Sequence, residues 1–553
     1  LNSKINNKGL IILAGGSIGH RLPFIQSAAV NPAMIPVGLR PAIAYLFEFY
    51  ADLASEIIVV CNPSSAHDIQ IQWDIVSRAH HAEVKLKIIA KDTSHVLDSL
   101  RLASAEANHS DIEDWIVSPV TTIPTVLANP SSYLVEKDVR ASAGWSFVLS
   151  DLDQIKFVSR SSKDQSQYGH AFTGIFQVSK IALINALAQL TGDDLIELIA
   201  CLVEKHGFTY QLTDWIDIGH AVNYYQAKSK IVASRHFNSI EIDTVKGLVS
   251  KKSNKIQKIL DEATYVATLP QEIQLWFPRQ IGEVHVKDGY ANQLMEYYAY
   301  PVVSELFLYW HLDLSQWRQF MRSMRRLLSD FKSHRVPVSK SEHDDLYLNK
   351  LIARVNDFSL QVKNSYPDIC NEDVMVNGEK NHSLNFLRPW VAKFCDQLYR
   401  HDDHCIMHGD LCFNNILYDP YGGTVRLIDP RGGMSSNGGN LHSGDVKYDL
   451  AKFAHSAIYG YDFIVSGQFK FDVHDGQYSY EVFSGINSAT MLLLVDDLLS
   501  DLKVNRDEID FIVALLFMSM ASLHSEDRER QVVMYLHGLS ILNKVYKKYA
   551  HMH

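Results

Sequence analysis

Three short runs that are apolar on both faces constrain the fold of the first 230 residues most: Leu10-Ile11-Ile12-Leu13, Ile57-Ile58-Val59-Val60 and Trp115-Ile116-Val117. A strand with one wet face alternates apolar and polar side chains, whereas a parallel strand covered by helices on both sides does not. Helical stretches separate the runs, and one of them is legible in detail. Asp193 and Asp194 precede Leu195, Leu198, Ile199 and Leu202, and Lys205-His206-Gly207 follows. Acids at the start, bases at the end and a terminal glycine suit both the helix dipole and its cap. Residues 1–230 are therefore expected to form a three-layer α/β domain.

The texture changes at roughly 228–235. Ile240-Glu241-Ile242, a turn from Asp243 to Gly247, and Leu248-Val249-Ser250-Lys251 read as a hairpin. A helix is predicted from about Asn254 to Leu269, stopped by Pro270. From Ser304 onward helices dominate, broken near 405–430 by a polar loop and two short strands, Asn415 to Tyr418 and Val425 to Ile428. Strands first and helices later predict a second, α+β domain over 231–553, with an N-lobe at about 235–303 and a C-lobe at about 304–553. With 553 residues, of which 47% are hydrophobic, the chain has material for two cores.

Charge narrows the partners. Lys and Arg number 52 against 63 Asp and Glu, a net charge of −11 that argues against wrapping nucleic acid or lying on an anionic membrane. The six cysteines are scattered without a C-x-x-C pair, as expected of thiols in a reducing compartment. A strand pattern begins by Gly9, which leaves no room for a signal peptide, and the longest apolar stretch, Phe511 to Leu523, falls short of the ~20 residues needed to span a bilayer. A soluble, cytoplasmic protein is expected.

The most informative segment is Ile406-Met407-His408-Gly409-Asp410-Leu411-Cys412-Phe413-Asn414-Asn415-Ile416-Leu417, followed by Leu427-Ile428-Asp429-Pro430. Phosphoryl transfer to a hydroxyl needs a carboxylate near the acceptor proton and oxygen ligands that hold Mg²⁺ against the nucleotide phosphates. Asp410 would orient or deprotonate the acceptor hydroxyl, with His408 orienting the same loop. Asn415, five residues on, and Asp429, at a strand end, would bind the metal.

This segment resembles the aminoglycoside phosphotransferase and choline kinase superfamily over roughly 235–553. The resemblance implies a bilobal, protein-kinase-like fold and an ATP- and Mg²⁺-dependent kinase whose acceptor is a small amino alcohol, polyol or sugar. It also implies that Lys251 binds phosphate, paired with Glu262 in the following helix. Lys252 is the neighbouring alternative, on the opposite face of the strand. Met295-Glu296-Tyr297-Tyr298 resembles the hinge between lobes, which makes Glu296 and Tyr298 candidate nucleotide contacts. Gly444-Asp445 with Tyr448-Asp449-Leu450-Ala451 resembles the family's Asp-Leu-Ala element and reads as mainly structural. The hairpin carries no Gly-rich phosphate loop. A competing zinc reading of His401, His404, Cys405 and His408 lacks the usual ligand spacing and cysteine content.

In the first domain Leu13-Ala14-Gly15-Gly16-Ser17-Ile18-Gly19-His20-Arg21-Leu22-Pro23 follows a buried strand. Glycines there let the backbone approach phosphates, and Arg21 would neutralise their charge. With Ile35-Pro36-Val37-Gly38, Phe172-Thr173-Gly174-Ile175-Phe176 and Trp215-Ile216-Asp217-Ile218-Gly219-His220, this order resembles the sugar-1-phosphate nucleotidylyltransferases over about 8–230. A Rossmann-like nucleotidyltransferase fold is implied, with Gly15, Gly16, Gly19 and Arg21 at a nucleotide or sugar phosphate and Asp217 as a metal ligand. Two parts of the pattern are missing. Pro32, between Asn31 and Ala33, stands where the family has its lysine, and Val117-Ser118-Pro119-Val120-Thr121 brings no carboxylate to the first metal position. A site short of one carboxylate and one cation cannot offset the charge developing on the phosphates.

Three readings follow. The chain is a small-molecule kinase carrying a degenerate nucleotidyltransferase-like domain, as in surface-polysaccharide or lipopolysaccharide biosynthesis. Alternatively it is a bifunctional kinase and nucleotidylyltransferase that makes a nucleotide-activated small molecule. In the third it is a binding scaffold, which the intact set of Asp410, Asn415 and Asp429 argues against.

Overall fold

Ile11, Leu13, Ile58, Val60, Trp115 and Val117 turn one face of their strands into a single core with Leu97, Leu100, Leu183, Leu198 and Ile199. Leu10, Ile12, Ile57 and Val59, on the alternate face, are buried as well, as helix-covered strands require. The computed structural model describes residues 8–16, 31–38, 40–80, 83–139, 146–151, 154–159, 169–220, 223–224, 226–228, 238–243, 245–310, 312–431, 443–485 and 487–550. The chain divides into two units, Leu1–Val232 and Ala233–His553.

In the first unit the elements run β1 (Lys8–Ala14), α1 (Ala42–Tyr50), β2 (Ala54–Cys61), α2 (Ala66–His80), β3 (Lys85–Ala90), α3 (Val96–Ala107) and β4 (Asp114–Pro119). They continue as β5 (Ser132–Val139), β6 (Phe147–Asp151), β7 (Gln154–Val158), β8 (Gly169–Ser179), α4 (Lys180–Leu187), α5 (Leu195–His206) and β9 (Thr209–Thr213). Among the described residues the sheet has nine strands, in the order β7-β6-β8-β4-β1-β2-β3, with β5 on β8 and β9 on β5. It is mixed. β1 pairs in parallel with β2 and β4, whereas β8 runs antiparallel to β4, β5 and β6. The antiparallel part is what the apolar runs did not announce, because β6 and β7 interleave Ser, Asp, Gln and Lys with their apolar residues. α5 keeps its foreseen ends: the Asp194 carboxylate accepts from the Ile196 N–H, and Gly207 closes the helix at φ 64°.

The second unit opens with an antiparallel sheet of β10 (Asn238–Asp243), β11 (Leu248–Ser253), β12 (His285–Lys287) and β13 (Tyr290–Glu296), ordered β10-β11-β13-β12. The turn at Gly247 lies at φ 65°. Between β11 and β12 lies α6 (Ile256–Thr268), which buries Ile259, Glu262, Ala263 and Tyr265. The Tyr265 hydroxyl donates to the Met407 carbonyl at 2.8 Å, fixing α6 against the loop that follows β14 (His404–Ile406). β15 (Ile416–Tyr418) and β16 (Val425–Leu427) form a short antiparallel pair. Next, α7 (Val446–Ala457) is buried at every position, capped by the Asp445 carboxylate on the Lys447 N–H. The apolar stretch at 511–523 lies in a buried helix, Arg506–Met520, and its 3₁₀ continuation. No helix among the described residues is long and apolar enough to cross a membrane. A second four-stranded sheet, built from two hairpins at 374–381 and 469–482, stands among the helices; its strands are short and largely polar, and the helical reading of this region passed over them.

Candidate functional site

The loop from Met407 to Asn415 is held by its own hydrogen bonds and by its neighbours. Gly409 sits at φ 80°, a conformation that costs a glycine nothing. The N–H groups of His408 and Gly409 both donate to the Asp449 carboxylate, at 2.6 and 2.9 Å. The His408 ring is fully buried and lies parallel to Phe277 at 6.1 Å. Its Nδ1 accepts from the Asp410 N–H at 3.2 Å and its Nε2 faces the Ile428 carbonyl at 3.1 Å. Burial pushes His408 down to about 4, so the ring is neutral near pH 7, with Nε2 the protonated nitrogen that this pair of partners requires. These contacts fix the His408 ring between the Asp410 backbone and the Ile428 carbonyl.

Burial pushes the Asp449 carboxyl up to about 7, against the lowering effect of the two N–H donors. An unfolded aspartate titrates near ~3.9, so the folded chain keeps a proton that the unfolded chain releases. The stability this gives is full below pH ~4 and is lost as pH rises through about 7. Asp449→Ala removes the acceptor of two buried N–H groups, at about 1–3 kcal/mol each, and is expected to lower the melting temperature. The gap between wild type and variant should narrow from pH 5 to pH 8; a widening gap would show that Asp449 is not a buried acid of raised pKa.

Lys251 points to α6. Its Nζ donates to Glu262 at 2.6 Å and to Asp429 at 2.7 Å. Lys252, on the other face of β11, lies over the Tyr290 ring at 4.9 Å. Burial disfavours the charge on Lys251, but Asp429 and Glu262 outweigh it and raise its pKa. Asp429 adopts φ 55°, in the left-handed region that aspartate tolerates better than most side chains. Burial opposes its charge, and Lys251 overcomes that and holds the carboxyl below its ordinary value.

Asp410 has a carboxylate oxygen for each of two cations. Lys452 Nζ lies 3.0 Å from Oδ1 and Arg431 Nε 3.2 Å from Oδ2. Burial would raise the Asp410 carboxyl, but Lys452 and Arg431 together hold it well below the usual range. Asn415 donates its side-chain N–H to the Asp410 carbonyl at 2.8 Å, which leaves the amide oxygen as the atom suited to a cation. Its own carbonyl accepts from the Ile428 N–H at 3.0 Å, joining the loop to the residue before Asp429. The structure thus brings Lys251, Glu262 and Asp429 into direct contact and ties Asp410, His408 and Asn415 to the same stretch of chain.

Lys452 and Arg431, the two cations paired with Asp410, are residues that reading the sequence missed. A signal existed for the first: a lysine three positions after Asp449 interrupts the apolar run Leu450-Ala451-Lys452-Phe453-Ala454.

Glu296 and Tyr298 lie at the end of β13, joined by a Tyr298 hydroxyl bond to the Glu296 carboxylate at 3.1 Å. The N–H groups of Glu296 and Tyr297 donate to the carbonyls of Arg279 and Gly247, so those two amides serve the fold. Arg426 stacks over the Tyr298 ring at 4.9 Å. Beside Lys251, a cavity of only about 40 Å³ is lined by Phe277, Gln280, Met295 and Ile428.

In the first unit a cleft of about 370 Å³ gathers Gly15, Gly16, Pro32, Thr121, Trp215, Asp217 and His220. Gly19 and Arg21 lie outside the described residues. Pro32 and Thr121, at the two positions where the resemblance implies a lysine and a carboxylate, both line it. Asp217 pairs with Thr122 across a two-residue ladder. Its Oδ1 accepts from the Gly219 N–H at 2.8 Å, and its Oδ2 takes Asn223 at 2.8 Å and His220 Nδ1 at 2.7 Å. Both carboxylate oxygens are therefore engaged by protein donors. Among the described residues no three His, Cys, Asp or Glu side chains are gathered as a metal cage, His401, His404, Cys405 and His408 included.

No family model matches the chain, and no curated protein does. Solved structures do align with it. A proposed glucose-1-phosphate thymidylyltransferase from Bacillus anthracis is 17% identical over 42% of this chain and 97% of its own, with a TM-score of 0.35. A UDP-glucose pyrophosphorylase is 13% identical over 41% of this chain and 100% of its own, with a TM-score of 0.34. The inositol-1-phosphate CTP transferase of T. maritima is 16% identical over 42% of this chain and 98% of its own, with a TM-score of 0.32.

Proposed function

We propose that residues 233–553 are a protein-kinase-like, ATP- and Mg²⁺-dependent phosphotransferase acting on a hydroxyl of a small molecule. The observation that carries this reading is Lys251 bridging Glu262 and Asp429 while Asn415, next to Asp410, is bonded to the backbone that leads into Asp429. Lys251 would hold the nucleotide phosphates, and the oxygens of Asn415 and Asp429 would hold Mg²⁺. A bound Mg²⁺ supplies neutralisation of the charge on the transferred phosphoryl group. The acceptor oxygen bonds to the γ-phosphorus as the bond to the ADP oxygen breaks, and the acceptor proton passes to Asp410. A carboxylate held this far below its usual pKa is a weak base, so its main contribution is to aim the hydroxyl. Adenine does not fit about 40 Å³, so nucleotide entry requires Phe277, Met295 or Gln280 to move.

The test is ADP formation with Mg²⁺ across amino alcohols, polyols and sugars, with pyrophosphate followed separately. Lys251→Met should raise the KM for ATP about tenfold or more, the worth of one or two charge-assisted hydrogen bonds. Absence of both ATP binding and ADP formation in the wild type overturns the reading.

For residues 1–232 we propose a binding role with no nucleotidyl transfer, since Pro32 and Thr121 stand in the cleft where the resemblance implies a lysine and a carboxylate, and both Asp217 oxygens already accept from protein donors. Nucleoside triphosphate with Mg²⁺ should stabilise this unit little, and no pyrophosphate should appear with any phosphorylated partner. The bifunctional reading has in its favour the cleft of about 370 Å³ that still contains Asp217. Steady pyrophosphate release that disappears in Asp217→Ala would establish it instead.

A further inference from the structure

Two cations converge on the one carboxylate that the kinase reading assigns to the acceptor. Lys452 is 7% exposed and Arg431 59%, and among the described residues Asp410 is the only carboxylate that forms an ion pair with either. Of the remaining acids nearby, Asp429 keeps its charge but is taken by Lys251. Asp449 is bonded to the loop amides, and Asp462 is buried with one oxygen unpartnered among the described residues. Burial pushes both carboxyls up to about 7, so near neutrality each is only partly charged. The other groups around Asp410 carry no charge at neutral pH: burial raises Cys412 and Tyr461 and lowers His455. His455 is fully buried, stacked on Tyr461 at 4.2 Å, and its Nε2 has no partner among the described residues.

We infer that the acceptor carries an anionic group, a carboxylate or a phosphate, which Arg431 and Lys452 receive beside Asp410. The inference rests on the kinase reading and narrows its substrate class, setting anionic polyols and sugars above amino alcohols. The two cations differ in a way that suits the task. Lys452 is fixed in a helix buried on all sides, whereas Arg431 is anchored by its N–H to the His408 carbonyl at 2.8 Å and keeps a half-exposed side chain. Its guanidinium matches the planar fork of a carboxylate or the oxygens of a phosphate. Arg431 on Oδ2 and Lys452 on Oδ1 each occupy one acceptor direction of the Asp410 carboxylate and stand in the way of an approaching hydroxyl. An anion that draws Arg431 away uncovers Oδ2 for the hydroxyl on the same molecule. A cationic acceptor would instead meet two like charges and leave the cap in place.

The full-length chain is tested with Mg²⁺ and ATP on four small hydroxyl compounds: glycerol, choline, glycerate and glycerol phosphate. We expect kcat/KM for glycerate or glycerol phosphate to exceed that for glycerol and choline by at least about tenfold, the scale of a charge-assisted contact. Arg431→Gln should raise the KM for the anionic acceptor by about the same factor and leave the KM for ATP unchanged. Because Arg431 is half-exposed, this variant is expected to fold even where Lys452→Met does not. Comparable turnover of the neutral or cationic compounds overturns the inference, as does an Arg431→Gln effect confined to ATP. Calorimetry with glycerol phosphate and no nucleotide separates the two levels. Saturable binding that Arg431→Gln removes, in a protein that forms no ADP with any acceptor, retains the anion site and overturns the kinase. ADP formation from glycerol or choline without anion binding retains the kinase and overturns the anion site.

Discussion

Asp410→Asn is expected to lower ATP-dependent turnover by about 10²–10⁴-fold, the usual contribution of a positioned acid or base, and to lower the melting temperature of the same protein. From the motif alone the substitution looks silent for folding, since a loop aspartate in a polar segment has nothing to support. The structure gives it something. Asp410 and Lys452 are 12% and 7% exposed, and removing one partner of a buried ion pair leaves the other charge uncompensated at about 3–5 kcal/mol. Arg431, half-exposed, regains water and adds little. The double variant Asp410→Asn, Lys452→Met should therefore recover most of the lost stability and none of the lost turnover. Thermal unfolding and ADP release on the same three proteins check this. A single variant as stable as wild type would mean that Lys452 finds another partner and that the pair is not what holds α7 against the loop.

The second large effect is expected at Asp429. Asp429→Ala removes a carboxylate from the proposed Mg²⁺ shell, where charge stabilisation by the metal amounts to several kcal/mol, about 10²-fold or more in rate. Lys251 keeps Glu262 at 2.6 Å as its counter-charge, so the unit should remain folded. Turnover measured against Mg²⁺ concentration separates this from a structural defect: the half-saturating concentration should rise as well as the rate falling. An unchanged Mg²⁺ dependence would sink the assignment of Asp429 as a ligand. Ionisation adds a pH signature. Lys251 holds the Asp429 carboxyl below its ordinary value, so the stability from this contact is present above pH ~4 and is lost as pH falls below it. The variant should lack that part of the acid limb.

What could be read from the sequence was what lies close together along it. His408, Asp410, Asn415 and Asp429 fall within one strand-loop-strand stretch, and Lys251 with Glu262 within one strand and the next helix. In the second case the alternation of faces decides which side chain meets the helix, Lys251 rather than Lys252. Lys452 and Arg431 escaped for opposite reasons. Lys452 joins the site only because α7 is buried on every side, a tertiary fact with no local periodicity to announce it, and Arg431 looks like an ordinary loop cation after a proline. In the first unit the parallel strands β1, β2 and β4 were legible because both of their faces are apolar. Strands β6 and β7 were not, because partly exposed antiparallel strands carry polar residues that resemble a loop's.

The amides of His408 and Gly409 end on a carboxylate of α7, three residues before the lysine that pairs with Asp410. Hydrogen exchange at those two amides should therefore be governed by opening of the helical core, as slow as that of the core helices and indifferent to the motions of an ordinary surface loop. A segment that transplants freely must carry its own support, and this one does not. Grafting residues 406–429 onto another scaffold would leave two donors, Asp410 and Asp429 without their partners, so a portable unit needs the loop through Arg431, Val446–Ala457 and the strand that carries Lys251.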